Sequence, residues 1–341
     1  MAVAARVLPE LRSERQCVDR DIFEEALEII SDEQYDFLNE VDNILGEGLA
    51  SDIIIGKLKQ IDYQSLLGRI FDLFIGSIDQ LSGSFCAFLL NFVNDDAELK
   101  LYKNKLSTFR GEVHYNKPYY EYRNFQSDSS ISLNYKNNIE SVYNSLISEF
   151  TKMRTLNTKE EILNVLNSIL QSTSNDQDDL DAIRGKLVGT NTCTSDVYSS
   201  SLFNYFRNTT EPINPNAKFF EKNIKGDRVY LAYSDYYSSS KQISAIKREQ
   251  WKYKAQATAE KSKIRTINPM AYIDKSLITA DSLLVYNRII NSKCKKIKII
   301  CDIYVLYFGA KLNAIREYNH TNKEILLLAC KEIVKQEKSS N

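Results

Sequence analysis

The residues of this chain best suited to chemistry are cations interleaved with aromatic rings in residues 241–298. Lysine and arginine neutralise phosphates or carboxylates, and the rings of Trp251 and Tyr253 can stack on bases. The candidate basic surface consists of Lys247, Arg248, Lys252, Lys254, Lys261, Lys263 and Arg265. No helix-turn-helix, zinc-finger or RNP motif accompanies these cations. The segment therefore predicts binding to nucleic acid or to an acidic partner, and basic charge alone leaves the choice open.

Carboxylates offer two further candidate sites. Asp72 and Asp79 lie seven residues apart on one face of an expected helix, either as a paired acid site or as ion-pair partners of Arg69 or of a neighbouring subunit. The cluster of Asp176, Asp178, Asp179 and Asp181 lacks the glycine and the final glutamate of a calcium loop. We therefore expect this cluster to be a solvated linker.

Catalytic and cofactor-binding motifs are not recognisable. His114 and His320 lie in polar segments with no partner at metal-ligand spacing, which favours surface histidines. Gly185-Lys186 is followed by Leu187, where a phosphate-binding loop needs Ser or Thr. Gly46-x-Gly48 follows a predicted helix and suits a helix end better than a dinucleotide site. We expect no catalytic residue, no metal and no cofactor.

Charge is segregated along the chain, although the net charge is only −1. Residues 1–100 carry 8 Lys and Arg against 20 Asp and Glu, whereas residues 201–300 carry 19 against 8. Such asymmetry predicts two different partners, or copies that meet head to tail. Whether the acidic and basic parts pair within one chain or between chains is left open.

Composition favours long helices. Among 341 residues there are only 11 Gly and 5 Pro, too few for the frequent turns of a sandwich or barrel. The predicted fold is mainly α, with helical ends and an irregular middle that contains at most a few short strands. Reduced thiols are expected, because no C-x-x-C pair occurs among Cys17, Cys86, Cys193, Cys294, Cys301 and Cys330.

Five segments are predicted from these patterns. They are an acidic helical domain (1–108), a Tyr-rich arm (109–135), a helical segment with an acidic linker (136–189), an irregular Tyr/Ser-rich segment (190–240) and a basic helical domain (241–341). Capping boxes at Ser31-x-x-Gln34 and Thr158-x-x-Glu161 mark helix starts. The run 228–233 suits a strand, with helix from about Ser240 onward. For the β-branched run 297–308, we favour helix over strand.

The apolar segment 64–94 predicts one helix, or two broken at Ser82-Gly83. Its wide apolar arc should be buried centrally or in an oligomer interface. The candidate apolar interface is Phe71, Phe74, Ile78, Phe85, Phe88 and Phe92. Because Arg69, Asp72 and Asp79 interrupt the segment, we do not expect it to span a membrane.

Tyrosines concentrate where the helical period is lost. Tyrosine gives amphipathic contact area at low entropic cost and is favoured at interfaces. The candidate contact arms contain Tyr115, Tyr119, Tyr120, Tyr122, Tyr230, Tyr233, Tyr236 and Tyr237. These segments are expected to order on neighbouring subunits.

Helix-rich ends, a Tyr/Asn/Ser-rich middle (109–135 and 190–240) and the lack of a catalytic constellation together resemble the virion components of large tailed bacteriophages, such as tail, baseplate and other assembly proteins. The resemblance is one of overall character. It implies a non-enzymatic structural protein that contacts other subunits in a homo- or hetero-oligomer, in the host cytoplasm and in the virion. The alternative is a helical nucleic-acid-binding protein that uses residues 241–298.

Overall fold

The structure, a computed structural model, describes residues 36–46, 52–94, 97–115, 135–172, 223–264, 271 and 273–339. Helices dominate this part of the chain: α1 (Asp36–Gly46), α2 (Asp52–Gln60), α3 (Tyr63–Gln80), α4 (Cys86–Asn94), α5 (Ala97–Ser107), α6 (Tyr135–Thr151), α7 (159–172), α8 (Gly226–Ile264) and α9 (Ala280–Ser339). Two short strands, β1 (Glu112–His114) and β2 (Asn223–Lys225), form a sheet. The predicted mainly α fold class is confirmed.

Two long helices frame the fold. With 39 and 60 residues, α8 and α9 are about 58 Å and about 90 Å long. The rings of Tyr253 and Tyr304 lie 4.7 Å apart, and the hydroxyl of Tyr318 donates a hydrogen bond to Asp235. Since residue numbers rise along α9 as they fall along α8, the two helices run antiparallel.

The inner face of α8 follows the spacing of a coiled-coil seam. Buried or half-buried positions alternate at intervals of three and four residues, which is a 3.5-residue period. They are Val229, Ala232, Tyr236, Ser239, Ile243, Ile246, Gln250, Tyr253, Ala257 and Glu260. Three of the ten are polar, so the seam is clearer in the burial than in the apolar sequence pattern.

An unbroken helical segment runs from α3 through a π-helical turn (Leu81–Phe85) into α4. At its start, Oδ1 of Asp62 accepts hydrogen bonds from the N–H groups of Gln64 and Ser65, each at 3.1 Å. The π turn lies where the sequence allowed a break at Ser82-Gly83, and it accommodates one extra residue without ending the helix. The expectation of one helix or two is thus resolved as one continuous segment.

By length and composition, Tyr63–Asn91 is long and apolar enough to cross a membrane. A single such helix is weak evidence for a membrane span, so the expectation that the segment does not cross a membrane stays a prediction. Core helices of soluble proteins pass the same test. In this fold the segment packs against α8 and α9, and Ile70, Phe71 and Phe74 are almost completely buried.

A second, smaller core lies where α8 begins and α9 ends. There β1 pairs antiparallel with β2, and Val113 is opposite Ile224, both buried. Gly226 begins α8 directly after β2. A Cβ on Gly226 would lie 2.8 Å from both the Cα of Arg110 and the carbonyl oxygen of Phe109. Close backbone approach at this residue therefore requires glycine.

The capping box predicted for α7 is confirmed. The N–H of Glu161 donates to Oγ1 of Thr158 at 3.2 Å, and Oε2 of Glu161 accepts from the N–H of Thr158 at 3.2 Å. Hydrogen bonding, first of all with the Thr158 side chain, lowers the pKa of Glu161. The box predicted at Ser31-x-x-Gln34 lies outside the described residues.

Two predictions for the second half of the chain are wrong. The run 228–233 is helix rather than strand, because α8 begins at Gly226 and not near Ser240. Residues 226–240, expected to be irregular, are therefore helical, and residues 190–222 lie outside the described ranges. The prediction of helix for 297–308 is confirmed, and it belongs to the single helix α9.

Candidate functional site

Ion pairs join the acidic and the basic parts of the chain within one molecule. Nζ of Lys254 lies 2.5 Å from the carboxylate of Asp79, and Lys261 pairs with Asp72. Both the acids and the bases lie seven residues apart, so α3 and α8 meet with two matching charge pairs in antiparallel order. Asp72 and Asp79 are thus ion-pair partners of α8 rather than a paired acid site, and Arg69 is not their cation.

The cations of α8 that face outward form a different surface. Lys241, Arg248 and Lys252 are exposed, Lys247 is half-exposed, and Trp251 is 59% exposed. None of the four cations has a carboxylate partner in the part of the chain that the structure describes. We name these five residues the basic–aromatic face. Lys241 was missed by the sequence analysis, although it lies seven residues before Arg248.

Carboxylates of α8 do not neutralise this face. Between 236 and 264 the helix has two acidic residues, Glu249 and Glu260. Glu249 pairs with Lys311 of α9 at 3.2 Å, and Glu260 pairs with Lys263 at 2.9 Å. Lys263 is therefore not free either, and Arg265 of the predicted basic surface lies outside the described residues. The result is a concentrated positive charge on the outer side of α8.

Lys247 and Trp251 lie one helical turn apart and contact each other. Nζ of Lys247 lies 5.9 Å from the centre of the Trp251 ring, within the range of a cation–π interaction. On the inner side, Sγ of Cys86 lies 3.7 Å from Oε1 of the buried Gln250. Burial raises the pKa of the Cys86 thiol to about 12, although nearby Lys247 acts in the opposite direction. Buried side chains thus fix the inner side of α8 and leave the indole in water.

The predicted apolar interface is wrong for the residues that the structure places. Phe71, Phe74, Ile78 and Phe85 are each at most 1% exposed and pack in the main core of the same chain. Phe88 is half-buried against that core, and the side chain of Phe92 lies outside the described set. Because intrachain helices already cover these side chains, they are not available to another subunit.

The prediction of contact arms is wrong for two tyrosines. Tyr115 is 3% exposed, and its hydroxyl donates to Oε2 of Glu324 at 3.1 Å. Tyr236 is completely buried in the seam of α8. Both therefore stabilise the fold itself. Tyr119, Tyr120 and Tyr122 lie outside the described residues.

A row of tyrosines does reach the surface at the start of α8. The ring of Tyr233 lies 6.4 Å from that of Tyr230 and 4.8 Å from that of Tyr237. Nζ of Lys103 on α5 lies 5.2 Å from the centre of the Tyr237 ring. The exposed large apolar residues of the described ranges are Leu101, Tyr230, Leu231 and Trp251. Three of these four, Leu101, Tyr230 and Leu231, lie on α5 and at the start of α8.

A polar cleft of about 350 Å³ lies between α1 and α9. Asp42 accepts a hydrogen bond from Nδ2 of Asn291 at 2.7 Å and pairs with Lys295. Nη2 of Arg288 donates to the carbonyl oxygen of Leu45 at 3.3 Å. These contacts hold the end of α1 on α9, so the polar groups of the cleft already serve the fold.

The two histidines do not gather metal ligands. Nδ1 of His114 lies 3.3 Å from Oδ1 of Asn223, and Nε2 of His320 lies 3.6 Å from Oε1 of Glu324. Among the described residues, no group of three His, Cys, Asp or Glu side chains is arranged to hold a metal ion. The acidic cluster 176–181 lies outside those residues.

Comparison of the chain with protein-family models, with curated proteins and with solved structures found no match.

Proposed function

We propose that the protein is a non-enzymatic assembly protein that binds other protein subunits, and that the basic–aromatic face is its docking site. One observation carries the proposal: the only tryptophan of the chain is 59% exposed, amid four cations without a carboxylate partner within the described ranges. Burying an exposed indole recovers hydrophobic free energy. Tryptophan and arginine are also the residue types most enriched among interface hot spots.

Charge and shape favour an acidic protein surface over nucleic acid. Lys241 and Lys252 are eleven residues apart, so the cations that have no carboxylate partner in the described ranges extend over only about 17 Å of helix. The cations that would prolong this track, Lys254, Lys261 and Lys263, are held in ion pairs within the chain. A short positive patch around an indole suits a protein contact, whereas non-specific binding of nucleic acid depends on many phosphate contacts.

Fluorescence of Trp251 tests the proposal, since a single tryptophan reports on the site alone. We expect a blue shift on titration with an acidic peptide, and at least tenfold weaker binding by the R248E/K252E variant. A matched K100E/K331E variant changes the net charge equally at exposed residues outside the face and should bind within twofold of the wild type. Equal losses in both variants would overturn the proposal, because they would show a net-charge effect.

A single-stranded oligonucleotide of equal charge serves as the competing ligand. Weaker binding of the oligonucleotide than of the peptide supports the protein role. Tighter binding, with affinity that falls steeply as salt rises, would overturn it in favour of the nucleic-acid alternative.

The resemblance to tailed-phage virion proteins suggests the setting in which the protein acts, namely a phage tail or baseplate. Mass spectrometry of purified virions from the source of this gene tests that setting separately. Presence of the protein at a fixed copy number per particle supports a role in the tail or baseplate. Absence of the protein from the particles overturns that role without affecting the proposed docking site.

A further inference from the structure

The basic–aromatic face belongs to a longer stripe on the outside of α8. Exposed residues there alternate at intervals of four and three residues, the 3.5-residue period of a second helix-packing seam. They are Lys241, Ala245, Arg248, Lys252, Ala255, Ala259 and Ser262. We name this set the outer seam. It spans 22 residues, or about 33 Å, which corresponds to about three heptads.

The charges of the outer seam have a definite spacing. Lys241, Arg248 and Lys252 are separated by seven and four residues, so their Cα atoms lie about 10.5 Å and about 6 Å apart along the axis. A second helix with carboxylates at the same intervals presents them at the same axial distances. A β-strand rises about 3.3 Å per residue and does not reproduce these intervals with side chains on one face.

The remaining positions of the outer seam have small side chains. Ala245 lies between the cations, and Ala255, Ala259 and Ser262 follow them along the helix. The seam therefore has little side-chain bulk, on which interaxial distances between packed helices depend within about 8–10 Å. Trp251 stands beside the seam and can cover one side of a docked helix. The contact would then combine an aromatic side chain with an adjacent surface of small side chains.

We infer that the occupant of the outer seam is an acidic amphipathic helix of a partner protein. This inference rests on the proposed docking function and specifies its partner. Charge complementarity selects acidic over basic or neutral helices, because the three seam cations have no carboxylate partner among the described residues. The docked helix would lie along α8 on the side opposite the buried seam.

Two designed peptides of four heptads test the inference on the full chain. The first places Leu and Ala on one stripe and Glu at the flanking positions, and the second scrambles the same residues. Binding is followed by Trp251 fluorescence, and peptide helicity by circular dichroism. We expect the patterned peptide to bind at least tenfold more tightly than the scrambled one and to gain helix on binding.

Two variants separate the inference from the docking function. A255Q/A259Q keeps every charge and good helix propensity but adds bulk to the seam, and R248E/K252E reverses charge. We expect both variants to bind the patterned peptide at least tenfold more weakly than the wild type does. The control A87Q/A97Q adds the same bulk at exposed residues on α4 and α5 and should bind as the wild type does.

The outcomes separate the helical partner from the docking function. Loss of binding in R248E/K252E with no change in A255Q/A259Q would overturn the helical partner and leave the docking function standing. Equal binding of both peptides would do the same. No fluorescence response to either peptide would overturn both. Unchanged far-ultraviolet spectra and unfolding midpoints of the variants exclude misfolding as the cause of a loss.

Discussion

Two buried asparagines on α9 predict opposite effects for the same substitution. Asn319 is fully buried, and within the described residues neither of its amide atoms has a hydrogen-bond partner. Asn287 is 1% exposed, but its Nδ2 donates to the carbonyl oxygen of Leu283 and its Oδ1 accepts from the hydroxyl of Tyr63, both at 2.7 Å. Leucine at each position removes the amide while keeping similar volume.

The magnitudes follow from these bonds. A buried polar group without a partner costs about 1–3 kcal/mol, so N319L should raise the free energy of unfolding by about that amount. N287L should lower it by about 1–2 kcal/mol. The loss is moderate because the Tyr63 hydroxyl still reaches the backbone oxygen of residue 287 at 3.1 Å.

Urea unfolding followed by circular dichroism measures both variants against the wild type. We expect the free energy of unfolding to rise in N319L and to fall in N287L. An N319L variant less stable than the wild type would contradict this expectation, because the Asn319 amide would then have a partner such as a buried water. A change in the denaturant slope would disqualify the comparison, since it signals an altered denatured state or loss of two-state behaviour.

Three further predictions concern the fold. G226A should lower the unfolding midpoint, because the added Cβ collides with backbone atoms. G76A, inside α3 with open space around it, should instead raise the free energy of unfolding by about 0.5–1 kcal/mol. Peptide mapping after alkylation at pH 8 should find Cys86 and Cys294 unmodified in the folded protein, since burial raises the pKa of each thiol to about 12; rapid labelling would contradict their burial. The stability advantage of the wild type over E161Q should be present at neutral pH and vanish as pH falls through the lowered pKa of Glu161; an advantage that grows in acid would contradict the cap.

Capping motifs and composition were sufficient to predict some of the helices. A capping box predicted α7, and the scarcity of Gly and Pro predicted a mainly α fold. The β-branched run 297–308 also forms helix, because much of α9 is buried around its whole circumference and packing outweighs strand propensity.

The start of α8 could not be predicted because its buried seam does not look apolar. Tyr236 and Ser239 occupy core positions in a stretch rich in Tyr and Ser, and Gln250 and Glu260 continue the same seam. Tyrosine also favours strands. The period becomes visible only in the burial of these positions in the folded chain.

For a similar reason, the sequence predicts which residues of the candidate site are basic but not which of them are paired within the chain. The sequence identified the cations of α8, but Lys261 and its partner Asp72 are 189 residues apart. The pairing of Lys254 and Lys261 depends on the antiparallel register of α3 and α8, which is a tertiary property. The Phe-rich segment was likewise recognised as buried, and only the packing of one chain showed that its cover is intramolecular.

Acrylamide quenching of Trp251 measures directly whether a partner covers the indole of the basic–aromatic face. At a saturating concentration of the patterned acidic peptide, quenching should fall severalfold in the wild type and in K100E/K331E but stay unchanged in R248E/K252E. Undiminished quenching of the wild type with bound peptide, or protection by the oligonucleotide alone, would contradict the claim that this face docks a protein.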